Sequence, residues 1–367
     1  MNKINEIKNN EKIAFCITCM NRLKHLQQTL EKNIQDNYLK GQVEFILLDY
    51  NSQDGLQEWV YHNMQKYIEE GILVYFKTAE PKLYMRSHSR NMAFRLANST
   101  ILCNLDADNF LGKGFASFML EAFSDNNNIF CTNDCSSRDA FGRISIRNED
   151  FISIRGYNEA LQCYGYEDGD IQNRLMLKGI KPKSVRNPEF YHCITHSFKE
   201  RISEEAIAKN LYEMYITYIN PYTSGVLLLN KDYSLEQYTL IDNLQQNIFV
   251  EYASPFESVF DKRNRVIQHG NVLKGAWKEN DNRILIDIRN DEYQVKSSVL
   301  SINLENMIFY KIQDDELKAK IIVLITDAMN YKEAIEQINN NSIINPDGFG
   351  KGIVYKNFDL SNKIILS

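Results

Sequence analysis

The chain has 367 residues, 44% of them hydrophobic and 25% charged, with a formal net charge of -6. That length exceeds one ordinary core and suits two domains, and the composition excludes disordered and collagen-like architectures. The mild acidic balance argues against a polyanion binder, so no nucleic-acid partner is expected, although it leaves room for a local basic pocket holding one phosphate group.

The first twelve residues are polar, and no stretch reads as a signal peptide or a membrane span. A cytoplasmic location is expected, or one peripheral to the inner face of the membrane through a partner. Residues 13–18 predict a first strand, 23–33 an amphipathic helix, 43–49 a strand, 56–70 a helix and 72–76 a strand. Ser87 is expected to cap a helix running through Ala97, and residues 100–105 to form a buried strand that leads into Asp106-Ala107-Asp108. This alternation is the pattern of β/α units around a mainly parallel sheet. Cys16 and Cys19 form a C-x-x-C in the first run, but no second Cys/His pair stands at zinc spacing, and no zinc or redox role is expected. The seven cysteines, an odd number, fit a reducing compartment.

Residues 129–132 and 143–146 then read as short strands, 148–155 as a short helix ended by Gly156, and 168–178 as a helix ended by Gly179. Residues 203–218 read as a helix, capped by Ser203, that closes the first domain. Beyond it the texture changes: 283–289 and 293–302 alternate polar and apolar residues, 307–312 is a further strand, and 317–338 is helical. The expected division is a first domain at 1–220 and an α+β or β-rich accessory domain at 221–367. Gly275-Ala276-Trp277 places a tryptophan in the core of the latter.

An apolar strand ending in Asp-x-Asp delivers two carboxylates at the carboxyl edge of a sheet, where open α/β folds bind ligands. Strand alternation sends Asp106 and Asp108 to the same side, and two oxygen donors there suit Mg²⁺ or Mn²⁺ shared with substrate phosphates. A plain turn at Asp108-Asn109 is the competing reading. Further on, Tyr164-Gly165-Tyr166-Glu167-Asp168-Gly169-Asp170 sets three carboxylates at a glycine-hinged turn before a helix. Like charges so close resist joint ionisation, so a cation, a substrate hydroxyl or the helix N-terminus must help hold them. A functional site is the leading reading and an acidic first helical turn the plainer one.

In order and spacing, Thr18-x-Met20-Asn21-Arg22, Leu48-Asp49-Tyr50-Asn51-Ser52-Gln53-Asp54-Gly55, Ser89-Arg90-Asn91-x-Ala93 and Leu105-Asp106-Ala107-Asp108 resemble the nucleotide-sugar half of family 2-type GT-A glycosyltransferases. Phe141-Gly142-x-Ile144-Ser145, Gly156-Tyr157 and the run from Tyr164 through Asn173-Arg174-Leu175 resemble the acceptor half of the β-1,4-galactosyltransferases and bacterial chondroitin-type polymerases. The likeness covers residues 12–200. It implies a GT-A fold, a Rossmann-like mixed sheet flanked by helices. The implied activity is a metal-dependent, inverting transfer of a hexose or N-acetylhexosamine from a UDP-sugar to a hydroxyl of a glycan or glycolipid.

Residue by residue, the resemblance implies that Thr18, Asn21 and Arg22 line the nucleotide pocket, Asp49 lies near the uracil, and Arg86 and Arg90 face the diphosphate. Asp108 would bind the metal directly, and Asp106 would reach it through water or hold the ribose. His196 stands where a histidine ligand follows the acidic helix, with His192 as its rival. Asp168 takes the place of the general base beside Glu167, and Tyr164, Tyr166 and Asp170 face the acceptor. The chain departs from the galactosyltransferase pattern where Tyr164 replaces tryptophan, Tyr166 a glycine and Gly169 an aspartate. Two other readings compete. One is a non-catalytic sugar- or nucleotide-binding protein that keeps the fold. The other, a sugar nucleotidyltransferase, fits less well because Cys19-Met20-Asn21-Arg22 has no glycine to let backbone amides approach phosphates.

Overall fold

The computed structural model describes residues 11–133, 140–220, 223–241, 272–280, 283–296 and 300–367. The chain divides into two compact units, one of Met1–Gln162, Tyr166–Thr195 and Ala334–Ser367, the other of Cys163–Gly165 and His196–Glu333. This division differs from a single cut at residue 220: the second unit begins near His196, and the last residues return to the first.

In chain order the first unit carries β1 (Ile13–Cys19), α1 (Leu23–Asn37), β2 (Val43–Tyr50), α2 (Leu56–Asn63), α3 (Gln65–Glu69), β3 (Leu73–Thr78), α4 (Arg86–Leu96) and β4 (Ile101–Asn104). It continues with α5 (Phe115–Asp125), β5 (Ile129–Asn133), β6 (Ile144–Arg147), α6 (Asn148–Ser153), α7 (Glu167–Leu177) and β7 (Lys181–Val185). β1 to β4 pair in parallel, β6 runs antiparallel between β4 and β5, and β7 is parallel to β5. β1 is buried throughout, and apolar but for Thr18, because helices cover both faces of the sheet. Ile13, Phe15 and Ile17 pack with Leu26, Leu30 and Ile34 of α1, whereas Ala14 and Cys16 pack with Met92, Ala93 and Phe94 of α4. Cys16 and Cys19 therefore lie in opposite cores, their thiols pushed up by burial, and share no chelating face.

Several elements were not anticipated. α5 fills the face beside α1 through Phe115, Met119 and Phe123. β7, Lys-Pro-Lys-Ser-Val, buries only Val185 and is legible as a strand only as the edge that β5 accepts, where proline costs no ladder bond. The helix expected at 56–70 is two short ones, and Ser87 lies inside α4, whose N-cap is Met85.

The second unit holds α8 (Phe198–Ile202), α9 (Ala206–Asn210), β8 (Leu211–Asn220), β9 (Thr223–Asn230), β10 (Ser234–Ile241), β11 (Leu273–Asn280), β12 (Arg283–Ile288), β13 (Asp291–Lys296), β14 (Ser301–Leu304) and β15 (Met307–Lys311). These strands form one antiparallel sheet in the order β13-β12-β11-β10-β9-β8-β15-β14. The helix expected at 203–218 is thereby corrected. Only Ala206–Asn210 is helical, and Tyr-Ile-Thr-Tyr-Ile then prefers a strand because branched and aromatic side chains suit a pleated backbone, here buried through Thr217 and exposed from Tyr218. Met214 and Ile216 pack on one side with Ile321, Ile322 and Ile325 of α10 (Asp315–Asn339), and Tyr215 on the other with Leu227, Trp277 and Phe309. The strand expected over 293–302 falls partly on 297–299, outside the described residues.

From Ala334 the end of α10 belongs to the first unit, followed by β16 (Gly352–Lys356) and β17 (Lys363–Leu366). These add antiparallel to β3 and complete the nine-stranded order β17-β16-β3-β2-β1-β4-β6-β5-β7. Among the described residues no helix is long and apolar enough to cross a membrane.

Candidate active site

β4 ends at Asn104, so Asp106-Ala107-Asp108 occupies the turn beyond the strand, and strand alternation does not govern it. α1 holds this turn instead. Thr29, Asn33 and Asn37 recur at every fourth position along its buried face, interleaved with Leu26, Leu30 and Ile34. Thr29 Oγ1 donates to the carbonyl of Ala107 (2.7 Å), Asn33 Nδ2 to that of Asn109 (2.9 Å) and Asn37 Nδ2 to that of Gly112 (3.0 Å). Asn33 Oδ1 and Asn37 Oδ1 accept in return from the amides of Leu111 (2.8 Å) and Ala116 (3.0 Å). On the other side Asn109 bridges to Cys193, the Ile194 amide donates to the Asp108 carbonyl (2.8 Å), and buried Arg143 donates to Asn109 Oδ1 (2.8 Å) and the Phe110 carbonyl (2.9 Å). Burial pulls the Arg143 pKa down.

Within this frame Asp106 Oδ1 accepts from Asn104 Nδ2 (3.1 Å) and Asp108 Oδ1 from Asn109 Nδ2 (2.7 Å). Both aspartates are partly exposed. α4 brings Arg90 up to them at 2% exposure. Its Nη2 meets Asp106 Oδ1 (3.3 Å), while Nη1 meets Asp168 Oδ1 (2.7 Å) and Glu167 Oε1 (3.1 Å) at the start of α7. Arg86, one turn earlier, places Nε 3.6 Å from Glu167 Oε1. The Arg90 guanidinium lies over the Tyr157 ring, 5.4 Å from its centroid. Gly142 closes the group: a Cβ there would stand 2.9 Å from Asp168 Oδ2 and 3.2 Å from Asp106 Oδ2.

The acids respond differently to this cation. Burial pushes the Asp168 carboxyl up to about 7, helped by Glu167 and Asp106 and opposed by Arg90 and Arg86. Burial also works against charge on Asp106, but Arg90, Arg86 and the Asn104 amide more than offset it and hold that carboxyl below the usual range. One acid is thus kept ionised while its neighbour is poised near neutrality, the separation that acid–base chemistry requires. Arg90, expected to face a diphosphate, is instead engulfed by three carboxylates and positions them.

The loops after β1, β2 and β3 are stitched together beside this group. Asn21, at φ 55°, donates its amide to Ser52 Oγ (3.1 Å) and accepts at Oδ1 from the Gln53 amide (2.7 Å). Asn51, at φ 62°, donates to the Pro81 carbonyl (2.7 Å), and Thr18 Oγ1 pairs with Tyr84 Oη (2.9 Å). Arg22 Nη1 donates to the Asn21 carbonyl (3.2 Å). Asparagine tolerates the left-handed region better than other side chains, which explains both residues at these turns. Asp49, expected near a base, is fully buried: it accepts from the Ser52 amide (2.7 Å) and Tyr75 Oη (2.7 Å), and burial raises its pKa. Its part is to shape the loop.

Two of the side chains expected on the acceptor side are buried. Asp170 has no exposure and forms an ion pair with Arg174 (2.7 Å), so it stiffens α7. Tyr166 is 4% exposed at φ 66°, its hydroxyl accepting from Asn173 Nδ2 (2.8 Å), so it is a buried N-cap with no face for a sugar. Tyr164 and His196 belong to the second unit, where the Tyr164 hydroxyl accepts from Arg201 (2.9 Å). His192 is 65% exposed, 4.0 Å from Glu189. Among the described residues no three His, Cys, Asp or Glu side chains converge as a metal cage. Asn33 and Asn104 carry the site without having been singled out for it, whereas Gly142 stood in one of the motifs. Asn33 had a readable signal, a buried-stripe position occupied by an amide.

A mixed sheet flanked by helices, with acids gathered beyond the carboxyl ends of its parallel strands, defines the GT-A class. Residues 14–176, somewhat under half of the chain, match the model of Glycosyl transferase family 2, and this segment is similar to that family. No curated protein matches the chain. Similar solved structures include a mannosyltransferase of Pyrobaculum calidifontis in complex with GDP-Man and Mn²⁺, at 15% identity and a TM-score of 0.41 over 49% of this chain and 56% of that one. Staphylococcus aureus TarS 1-349 aligns at 13% identity and 0.42 over 50% and 60%. The catalytic domain of Drosophila β-1,4-galactosyltransferase 7, in complex with xylobiose, aligns at 12% and 0.37 over 53% and 75%. The chain thus spans less than two thirds of the first two of these proteins.

Proposed function

We propose that the protein is a metal-dependent, inverting glycosyltransferase that moves a hexose or N-acetylhexosamine from a UDP-sugar to a hydroxyl of a glycan or glycoconjugate. The observation that carries this reading is the convergence of Asp106, Glu167 and Asp168 on buried Arg90, with Asp168 pushed up to about 7. Asp168 accepts the proton of the attacking hydroxyl, and Glu167, fixed by Arg86 and Arg90, keeps its neighbour in place. The stitched loops at Thr18, Asn21 and Arg22 receive the nucleotide.

The donor set fits a hard divalent cation. Asp106 and Asp108 offer carboxylate oxygens on a partly exposed turn, and Mg²⁺ or Mn²⁺ is commonly held by one or two carboxylates together with substrate phosphates, so a complete protein cage is not required. When bound, the ion supplies neutralisation of the charge growing on the departing diphosphate. His196 enters this set through the sequence resemblance.

A panel of UDP-sugars incubated with Mn²⁺ tests the reading. One sugar should be hydrolysed or transferred with inversion, as seen by NMR of the product anomeric proton. Asp168→Asn should keep UDP binding and lower kcat by a factor on the order of 10² to 10⁴. Wild-type turnover in that variant overturns the base assignment, and an α-linked product from an α-linked donor overturns inversion.

A further inference from the structure

The second unit holds a feature that the transfer chemistry does not use. At one end of its sheet, Tyr212 of β8 stacks on Trp277 of β11, with centroids 4.8 Å apart and planes 19° from parallel. These strands are three places apart in the sheet, so the sheet curls to bring them together. Tyr233, in the turn between β9 and β10, tilts against the same indole at 5.4 Å. Trp277 is the buried floor, its Nε1 donating to the Asn230 carbonyl (2.7 Å), whereas Tyr212 and Tyr233 are 45% and 59% exposed. Lys231, Lys278 and Glu279 complete the lining of a cleft of about 380 Å³, within the size range of small-ligand pockets.

Two observations separate this cleft from ordinary packing. Tyr212 and Tyr233 leave about half of their large side chains in water at a polar rim, and so gain less from burial than core aromatics do. Tyr233 also sits at φ 64°, a region costly for a bulky side chain, although glycine or asparagine would meet the turn at less cost. The turn is built to hold it there: Ser234 donates its amide and hydroxyl to Asp232 (3.0 and 2.6 Å), Asn230 donates to Ser234 Oγ (3.0 Å), and the Trp277 amide donates to the Tyr233 carbonyl (3.0 Å). Such a frame keeps the ring at that position despite the backbone strain.

We infer that this aromatic cleft is a carbohydrate-binding site, in which pyranose rings of a glycan chain lie against Tyr212 and Tyr233. A pyranose has an apolar C–H face and an edge of hydroxyls. The tyrosine rings match the face, and two lysines with one glutamate, of both charge signs, supply donors and acceptors for the edge. The choice of a glycan rests on the proposed glycosyl transfer, whose acceptor or product would be such a chain. Holding it here raises the local concentration of chain ends on the enzyme.

The chain has two tryptophans, Trp59 and Trp277. Trp59→Phe therefore leaves Trp277 as the sole indole reporter in the full-length protein. Titration with chitohexaose, cellohexaose and maltohexaose should give a saturable change in its emission for at least one of them. Tyr233→Gly, which deletes the ring and relieves the positive φ, should leave thermal stability equal or higher and weaken that binding by about tenfold or more. UDP binding with Mn²⁺, read by thermal shift, should be unchanged. The inference is overturned if no hexasaccharide alters Trp277 emission up to about 10 mM, or if the Tyr233→Gly protein binds as well as its parent. A response to an oligoribonucleotide in place of the sugars also overturns it. Failure of the glycosyl-transfer reading shows separately, as absent turnover of every UDP-sugar by a protein whose indole still responds to a glycan.

Discussion

Asp168 and Arg90 form the pair on which the chemistry turns. Because the folded Asp168 carboxyl is raised above its usual value to about 7, the folded protein holds a proton there that the unfolded chain releases at lower pH. Its contribution to stability is present at low pH and is lost as pH rises through about 7. Catalysis has the opposite sign, since only the carboxylate accepts a proton: kcat should climb with pH across about 6 to 8. Asp168→Asn should flatten that limb, and its Tm relative to wild type should be higher at about pH 8 than at about pH 5. Arg90→Ala leaves three carboxylates facing one another around a buried gap. Chemical denaturation should show a loss on the order of 3–5 kcal/mol, as expected when one partner of a buried ionic group is removed. None of this was visible from residue types alone, because an arginine next to a diphosphate site and an arginine buried among acids carry the same letter.

At the scale of elements, α1 does more than cover the sheet. Its polar stripe of Thr29, Asn33 and Asn37 grips the segment from Ala107 to Ala116 with five hydrogen bonds, so the position of Asp106 and Asp108 depends on a helix distant in sequence. Asn33→Ala removes the hydrogen bonds that its amide makes to the buried Asn109 carbonyl and Leu111 amide. It should cost about 2–6 kcal/mol in urea denaturation, at roughly 1–3 kcal/mol for each buried hydrogen bond removed. The loosened turn should also raise the concentration of Mn²⁺ needed for half-maximal activity. α7 shows how local rules operate under constraint. Glu167, Asp168 and Asp170 stand in its first turn, where the helix dipole favours acids, yet they serve two different ends. Asp170 is consumed by Arg174 within the helix, whereas Glu167 and Asp168 reach across to α4. The i, i+4 spacing made the first pairing readable, and the second required the fold.

For the whole molecule, the return of the chain to the first sheet is the main departure from a simple division into front and back halves. β16 and β17 seal the β3 edge, Arg95 donates to the carbonyls of Phe349 and Gly350, and the Gly350 amide donates to Glu159 Oε1. Removing residues 346–367 should lower the unfolding free energy by about 3 kcal/mol or more, because Val354 and Leu366 leave the core and an open edge remains. Circular dichroism during urea titration would show it, and an unchanged midpoint would mean the edge strands add nothing. The alternating β/α order of the first two hundred residues, the Asp-x-Asp turn and the acidic start of α7 were all set out by the sequence, because hydrophobic period and turn chemistry act within a few residues. Which acids share one cation, which tyrosine is buried at φ 66° and which stands exposed at φ 64°, and that residues 211–220 form a strand were decided only by tertiary structure. Those outcomes depend on partners dozens to hundreds of residues away, whose burial and charge set each group's environment, and no local pattern encodes that environment.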